Sequence, residues 1–409
     1  MNERDTKAGL SVVEICAGAG GQSLGLEQAG FEHLAAIEID PDACNTLRLN
    51  RPDWHVIEGD VTDLAIFDAE QYEGVDLLAG GVPCPPFSVA GEQLGAGDER
   101  DLFAFAVHLL EQLHADVLLL ENVRGLSTQR FAGYRARLLE MLADWGYWAE
   151  WKLLRASGFG VPQLRPRFIL VAMKEEFAPY YEWPTTDAAP PTVGDTLYGE
   201  MAKDGWPGAD TWREAASGIA PTIVGGSKKH GGADLGPTRA KDAWRKLCVD
   251  GMGVADKRPD SNTRPDHVPR LTNEMVALIQ GWRPEDEWRF TGLKTAEYRQ
   301  IGNAFPPPVA RAIGSSIARA LRKEGEPRVR PRQAEPSDSA IYRELAATPG
   351  RFVPLDRLAE ASGQTVEQVM AALSHLEADF VLERRNGRGT PKFRLADFKG
   401  LTTASPPVR

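Results

Sequence analysis

Cys84 stands in the run Gly80-Gly81-Val82-Pro83-Cys84-Pro85-Pro86-Phe87-Ser88. Upstream, Gly74-Val75-Asp76-Leu77-Leu78-Ala79 reads as a short buried strand, an apolar run closed by glycines and prolines. The thiol is thus set just past the carboxyl end of a strand, where open α/β sheets bind ligands. Pro83, Pro85 and Pro86 fix φ around it, and Ala79, Gly80 and Gly81 leave little bulk beside it. A structural cysteine in a Pro-rich turn fits the same residues, so the weight rests on what else the chain carries. Asp116-Val117-Leu118-Leu119-Leu120, another buried strand, delivers Glu121-Asn122-Val123 at its carboxyl end. Val161-Pro162-Gln163-Leu164-Arg165-Pro166-Arg167 lies between strands predicted over Trp148–Arg155 and Phe168–Met173.

The elements that must position these groups begin with a strand, Leu10–Cys16, followed by Ala17-Gly18-Ala19-Gly20-Gly21 and a helix over Gln22–Ala29 that Gly30 stops. Such a loop offers free N–H groups and the positive end of a helix dipole to a carboxylate or a phosphate. It is not the dinucleotide fingerprint, because the third glycine would fall at Ser23, and this speaks against a dehydrogenase. A second strand, His33–Ile39, ends at Glu38, twenty residues after Gly18, where a doubly wound fold places the acid that holds ribose hydroxyls. A surface acid ahead of a helix is the plainer alternative. Asp40-Pro41 then opens a helix through Leu49. A third strand, Trp54–Ile57, runs into Asp60, able to accept from an adenine amine.

Helices are predicted over Asp101–His114 and Tyr134–Trp145, the first after a polar, Gly-rich loop from Ser88 to Arg100 that reads as a mobile lid. From Trp183 to Pro269 the pattern dissolves into prolines, glycines and isolated tryptophans, the expectation for a mostly irregular lobe. Helices return at Leu271–Trp282 and Val309–Arg322, flanking Gly302-Asn303-Ala304-Phe305-Pro306-Pro307. Glu324–Ser337 is charged and Pro-containing, a linker. Beyond it, three short helices and a basic hairpin with its tip at Asn386–Gly389 resemble a winged helix, with Thr365–Leu376 as the candidate recognition helix. The domains expected are therefore 1–182 catalytic, 183–270 target recognition, 271–323 return to the catalytic domain, 324–337 linker and 338–400 winged-helix-like.

The chain has 409 residues, 42% hydrophobic and 26% charged, a composition proper to soluble globular proteins and too long for one ordinary domain. Its four cysteines (Cys16, Cys44, Cys84, Cys248) have no metal-ligand spacing, which fits unpaired thiols in a reducing cytosol. No metal site, secretory segment or membrane span is expected. The net charge of −11 argues at face value against nucleic acid, yet Lys203–Arg270 holds twelve Lys/Arg against nine Asp/Glu.

Taken together and in this order, the glycine loop, the Pro-Cys element, Glu-Asn-Val, Gln-x-Arg-x-Arg and Gly-Asn-Ala-x-Pro-Pro resemble the DNA cytosine-5 methyltransferases over Leu10–Arg322. The resemblance implies a doubly wound, Rossmann-like α/β fold with a smaller target-recognition lobe, and S-adenosylmethionine at the strand edge. Gly18 and Gly20 would line the methionine end, Glu38 the ribose and Asp60 the adenine. Cys16, Ile39, Val61 and Leu102 would complete that pocket, and Asn303 would return beside the first loop. One departure is Cys16, which stands where the family usually has a phenylalanine packed on the adenine; a smaller side chain weakens that contact.

The chemistry implied is covalent. Cytosine C5 is a poor nucleophile, and addition of the Cys84 thiolate to C6 turns C5 into an enamine carbon able to take a methyl group. Glu121, kept protonated, would donate to N3; Arg165 would neutralise charge at O2, Arg167 would meet a phosphate, and Gln163 would orient the Pro-Cys loop or the lid. A cytosine within a duplex must be extruded before both faces can be reached. Ser88, Arg100, Lys228, Lys229, His230, Arg239 and Arg245 are candidates for DNA contacts. The partner expected is double-stranded DNA, in a cytoplasmic, nucleoid-associated setting that leaves room for a cognate restriction endonuclease acting on the same site. The rivals are a tRNA cytosine methyltransferase and a catalytically silent DNA-binding regulator.

Overall fold

The computed structural model describes residues 9–83, 101–185, 189–226, 232–331, 340–386 and 389–399. In chain order its strands are β1 (Leu10–Ile15), β2 (Phe31–Glu38), β3 (Val56–Glu58), β4 (Leu77–Gly80), β5 (Val117–Val123), β6 (Tyr147–Arg155), β7 (Pro166–Lys174), β8 (Val353–Pro354), β9 (Phe380–Arg385) and β10 (Lys392–Phe398). The helices are α1 (Gly21–Gln28), α2 (Pro41–Asn50), α3 (Leu102–Leu113), α4 (Ala132–Asp144), α5 (Val193–Ala202), α6 (Ala209–Ala215) and α7 (Thr238–Arg245). They continue with α8 (Asn273–Gln280), α9 (Lys294–Asn303), α10 (Pro307–Leu321), α11 (Ala340–Ala346), α12 (Leu355–Ser362) and α13 (Val366–Asp379). The chain divides into two units, Met1–Gly81 with Leu154–Arg167 and Tyr180–Pro327, and Val82–Leu153 with Phe168–Pro179 and Arg328–Arg409.

In the first unit the strands run in the order β3-β2-β1-β4 and pair in parallel. Parallel neighbours need crossovers, which α1 and α2 supply. Val12, Val13 and Ile15 of β1 are fully buried, as a strand covered on both faces requires. The four carboxyl ends therefore fall near Cys16, Ile39, Gly59 and Gly81, one edge on which functional groups can converge. β3 starts later than the pattern predicts because Trp54 stacks on His33, ring centroids 4.0 Å apart, instead of extending the strand. α1 carries little amphipathic signal because it is buried from Gly21 to Leu26. It lies so close to α10 that a Cβ on Gly25 would fall 2.5 Å from the Pro307 carbonyl oxygen.

The stretch 183–269 is mostly irregular, as its pattern predicts, yet three short helices that the pattern does not show interrupt it. α5, α6 and α7 form there around Trp206, Trp212 and Trp244, which share a core with Trp282 and with Tyr298 of α9. The indole N–H groups of Trp206 and Trp212 donate to the carbonyls of Arg264 and Cys248, both at 2.9 Å. Helices of 7–10 residues are marginal by themselves, and here the large apolar area of the buried tryptophans stabilises them. Those tryptophans are core, which removes them from the residues available for a vacated base stack.

The second unit has the order β5-β7-β6, with α3 against β5 and α4 following it. α3 begins where Asp101 caps it, accepting from the N–H groups of Phe103 (3.2 Å) and Ala104 (3.1 Å). The Tyr134 hydroxyl, from α4, donates to the same carboxylate at 2.8 Å. Within the expected linker Arg328 and Pro331 are anchored: Arg328 N–H donates to the Pro179 carbonyl at 2.9 Å and the Trp148 indole to that of Pro331 at 3.2 Å. α11, α12 and α13 then lead into the hairpin β9–β10, which the short β8 between α11 and α12 extends to a three-stranded sheet of order β8-β10-β9.

Burial pushes the Asp101 pKa up from 3.8 to about 6, against the lowering effect of its N–H and hydroxyl donors. A carboxyl whose folded pKa is raised contributes stability that is complete below its unfolded pKa and is lost as pH rises through the folded one. Asn in its place keeps a cap acceptor and has no charge to desolvate. The melting temperature of Asp101→Asn relative to wild type should therefore rise between about pH 4 and about 6 and level off above about 7. A pH-independent difference in differential scanning calorimetry would contradict this account of the cap.

Candidate active site

At the carboxyl end of β1 the backbone turns left-handed three times, at Cys16 (φ 50°), Gly18 (φ 57°) and Gly20 (φ 86°). The last two are open to glycine without strain, and Cys16 is the one side chain held there against its preference. Among the described residues nothing lies within 4 Å of a Cβ built on Gly18, so that face of the loop is open to a ligand. Burial, with Glu38, Asp60 and Glu14 nearby, pushes the Cys16 thiol well above its usual range. It stays protonated, and it is no nucleophile.

Glu38, only 9% exposed, closes the loop. One carboxylate oxygen accepts from Gly18 N–H at 2.7 Å, and the other accepts from Ile39 N–H (2.9 Å) and Asp40 N–H (2.8 Å). Burial raises its pKa, with these three bonds opposing the rise. Asp60 accepts from the backbone and hydroxyl of Thr62 at 2.9 and 2.8 Å, with Val61 buried beside it and Ile39 exposed. An open glycine turn, an acid fixed at the end of β2 and a second acid past β3 thus bring donors and acceptors together along one strand edge, the side on which open α/β sheets bind ligands.

Trp288 escaped the sequence reading, since a lone tryptophan between charged residues belongs to no periodic pattern. Its indole donates to the Ala19 carbonyl at 3.0 Å, and a Cβ on Gly20 would fall 2.3 Å from its ring. Glycine at position 20 is therefore dictated by a wall. Arg51, paired with Glu27, lies over the same ring at 5.2 Å.

The Gln-x-Arg-x-Arg element departs from its expected roles. Arg165 is fully buried and donates to three backbone carbonyls, Ile223 (2.8 Å), Gly302 (3.0 Å) and Ala304 (2.7 Å). A guanidinium so engaged is a brace, and charge neutralisation at a substrate oxygen does not fit it. Gln163, also fully buried, donates to Gln280 Oε1 (2.6 Å) and the Ile279 carbonyl (3.3 Å) and accepts from Ile223 N–H (2.9 Å). Its amide grips α8 and the stretch around Ile223, which leaves none of it to orient the Pro-Cys loop. Gln280 extends the network by donating to the Ala304 carbonyl at 2.8 Å. Arg167 is 9% exposed and donates to the Pro166 carbonyl at 3.0 Å.

The Asn303 turn returns beside the first loop: a Cβ on Gly21 would meet the Phe305 carbonyl oxygen at 2.3 Å. The Asn303 amide itself is turned to the Gly226 carbonyl, 3.1 Å away. Glu121, in the second unit, is buried at the end of β5, and the adjacent Asn122 amide donates to the Val82 carbonyl at 3.2 Å. Leu102 is the first residue of α3. Arg239 and Arg245 are exposed on α7, Arg245 paired with Asp242 at 2.7 Å. Cys84, Ser88, Arg100, Lys228, Lys229 and His230 lie outside the described residues.

Residues 10–319 match the family model of C-5 cytosine-specific DNA methylases. The chain belongs to that family. It is 56% identical over 395 residues to the type II methyltransferase M.NaeI of Lentzea aerocolonigenes, covering 96% of this chain and 95% of that one. With the type II methyltransferase M.NgoMIV of Neisseria gonorrhoeae it shares 51% identity over 315 residues, 76% of this chain and 98% of the relative. Among solved structures it resembles an Entamoeba histolytica methyltransferase (TM-score 0.54, 13% identity, 77% and 99% of the two chains) and a Spodoptera frugiperda DNMT2 variant (TM-score 0.53, 15%, 76% and 99%). Their likeness gives the fold, a doubly wound, Rossmann-like α/β sheet. This methylase transfers a methyl group from S-adenosylmethionine to C5 of cytosine in DNA.

Replacing Trp288 by Ala removes the wall behind Ala19 and Gly20 without touching the acids. The dissociation constant for S-adenosylmethionine should rise on the order of tenfold, about 1.4 kcal/mol, by titration calorimetry. Unchanged affinity would mean that the glycine loop holds its own shape.

Proposed function

We propose that Cys84 is the nucleophile and Glu121 the acid of this methylase, acting on a cytosine flipped out of a specific double-stranded sequence. What carries the reading is the Asn122–Val82 bond of 3.2 Å, which ties the backbone two residues before Cys84 to the strand end that bears Glu121. The Cys84 thiolate forms a bond to C6 while the π electrons of the C5–C6 bond move towards N3 and O2. Glu121 gives its proton to N3, leaving an enamine with its nucleophilic carbon at C5. Bound S-adenosylmethionine supplies an electrophilic methyl whose bonding pair stays on sulfur. Loss of the C5 proton to water re-forms the C5–C6 double bond and expels Cys84 as thiolate, and N3 returns its proton to Glu121.

With Arg165 committed to backbone carbonyls, we assign O2 to Arg167, one strand period further along. Glu38 would hold the ribose and Asp60 the adenine, with Gly18 and Gly20 flanking the methionine end. Lys228, Lys229, His230, Arg239 and Arg245 are the residues we would test for DNA contact, in a target-recognition lobe near 183–270. The type II names of the relatives support a restriction-modification setting, in the cytoplasm and near the nucleoid, with a cognate endonuclease that cuts the same site. No helix among the described residues is long and apolar enough to cross a membrane.

Bisulfite sequencing of DNA from cells expressing the chain tests this directly. Wild type should protect cytosine in one short sequence context, and Cys84→Ser should protect none while still binding DNA. Glu121→Gln should slow single-turnover methyl transfer about 10²–10⁴-fold. Methylation by the serine variant would refute the covalent role.

A further inference from the structure

The C-terminal module is fastened to α4 through the helix expected to read DNA. A Cβ on Gly133 of α4 would fall 2.4 Å from Leu376 of α13, so glycine there permits the approach. Beside it Asp379, 1% exposed, pairs with Arg130 at 2.9 Å, and the Tyr342 hydroxyl donates to Glu140 at 2.7 Å. Gln364, Gln368 and His375 of the module face Gln129 and Arg130 across a cleft of about 250 Å³. A helix so placed is a docking element.

The hairpin β9–β10 remains, and its charge is out of keeping with the chain. Phe380–Lys399 holds six Lys/Arg against Glu383 and Asp397, in a protein of net charge −11. Glu383 is taken by Arg394. Arg385 and Lys392 are direct cross-strand partners and both exposed, an arrangement of like charges that destabilises a hairpin unless a counter-charge is supplied. Among the described residues no carboxylate pairs with Arg384, Arg385 or Lys392. Arg385 and Arg394 lie over the Phe352 ring at 5.9 and 4.9 Å, and Arg384 lies over Phe393 at 5.9 Å. Stacking limits the wandering of these forks; Arg394 is held by Glu383 and the Arg384 Nε by Asn386, while the Arg384 and Arg385 side chains stay exposed.

We infer that this hairpin is a second DNA-contact surface, binding backbone phosphates outside the methylated site through Arg384, Arg385 and Lys392. The inference rests on the DNA substrate of the family and not on the assignment of Cys84. It accounts for the relative from Neisseria gonorrhoeae, matched over 98% of its length by only 76% of this chain. That enzyme has no counterpart for a quarter of the present one, so the extra residues add to the reaction and do not perform it.

The test uses the full chain carrying Arg384→Gln, Arg385→Gln and Lys392→Gln together. Its binding to labelled duplexes of about 15 and about 40 base pairs, of arbitrary sequence, is followed as salt is raised. On the longer duplex affinity should fall on the order of tenfold, and the slope of log K against log salt should shrink by about 0.9 for each phosphate no longer neutralised. The shorter duplex should bind as before, and Arg384→Lys with Arg385→Lys should recover most of the affinity. An unchanged affinity on the longer duplex would overturn the inference and leave the hairpin to a protein or RNA partner. An equal fall on both lengths would overturn it as well.

Discussion

One buried guanidinium ties two distant stretches of backbone to its own. Arg165 donates to carbonyls at 223, 302 and 304. Carbonyls at a helix end are orphaned by the end of the helix itself, and α9 stops at Asn303. Arg165 supplies the missing donors, so α9 can end abruptly and the chain can turn through Ala304 and Phe305 into α10. Burying a charge is costly, and here the partial charges of several carbonyls help to compensate it. The same turn backs the glycine loop at Gly21. A residue expected at the substrate is thus what sets the cofactor edge.

Around that brace the first unit shows how close approach replaces side-chain interlocking. Gly21 and Gly25 of α1 let the Phe305–Pro307 backbone lie against them, and Gly20 admits the Trp288 ring. The face of Gly18 is the exception, bare of neighbours among the described residues, and Glu38 fixes the backbone there with three hydrogen bonds. Rigid walls on one side and open space on the other are what a preorganised cofactor site needs.

The strand ends were legible because β1 and β5 are apolar runs with an abrupt polar close, and that pattern maps directly onto burial. The structure puts Glu38 at the end of β2, Asp60 just past β3 and Glu121 near the end of β5. Depth was not legible. Gln163, Arg165 and Arg167 share a spacing whichever of them faces a ligand, and only the fold shows that Gln163 and Arg165 face the protein. The helices α5–α7 were missed because their stability comes from tryptophans that meet in space, which no local pattern encodes. Trp288 and Gln280 were missed for the same reason. The tail read as a linker and a winged-helix-like module that could bind DNA or a protein; its packing on α4 was not legible, since Gly133 and Leu376 are too far apart in sequence to suggest contact.

Replacing Arg165 by Met tests whether the brace organises the site. Three carbonyls would lose their donor, at about 1–3 kcal/mol each when buried. The account predicts a fall in melting temperature on the order of 10 °C by calorimetry, together with weakened S-adenosylmethionine binding in the absence of DNA. A variant that melts like wild type and binds S-adenosylmethionine normally, yet has lost methyl transfer, would contradict it and return Arg165 to the substrate.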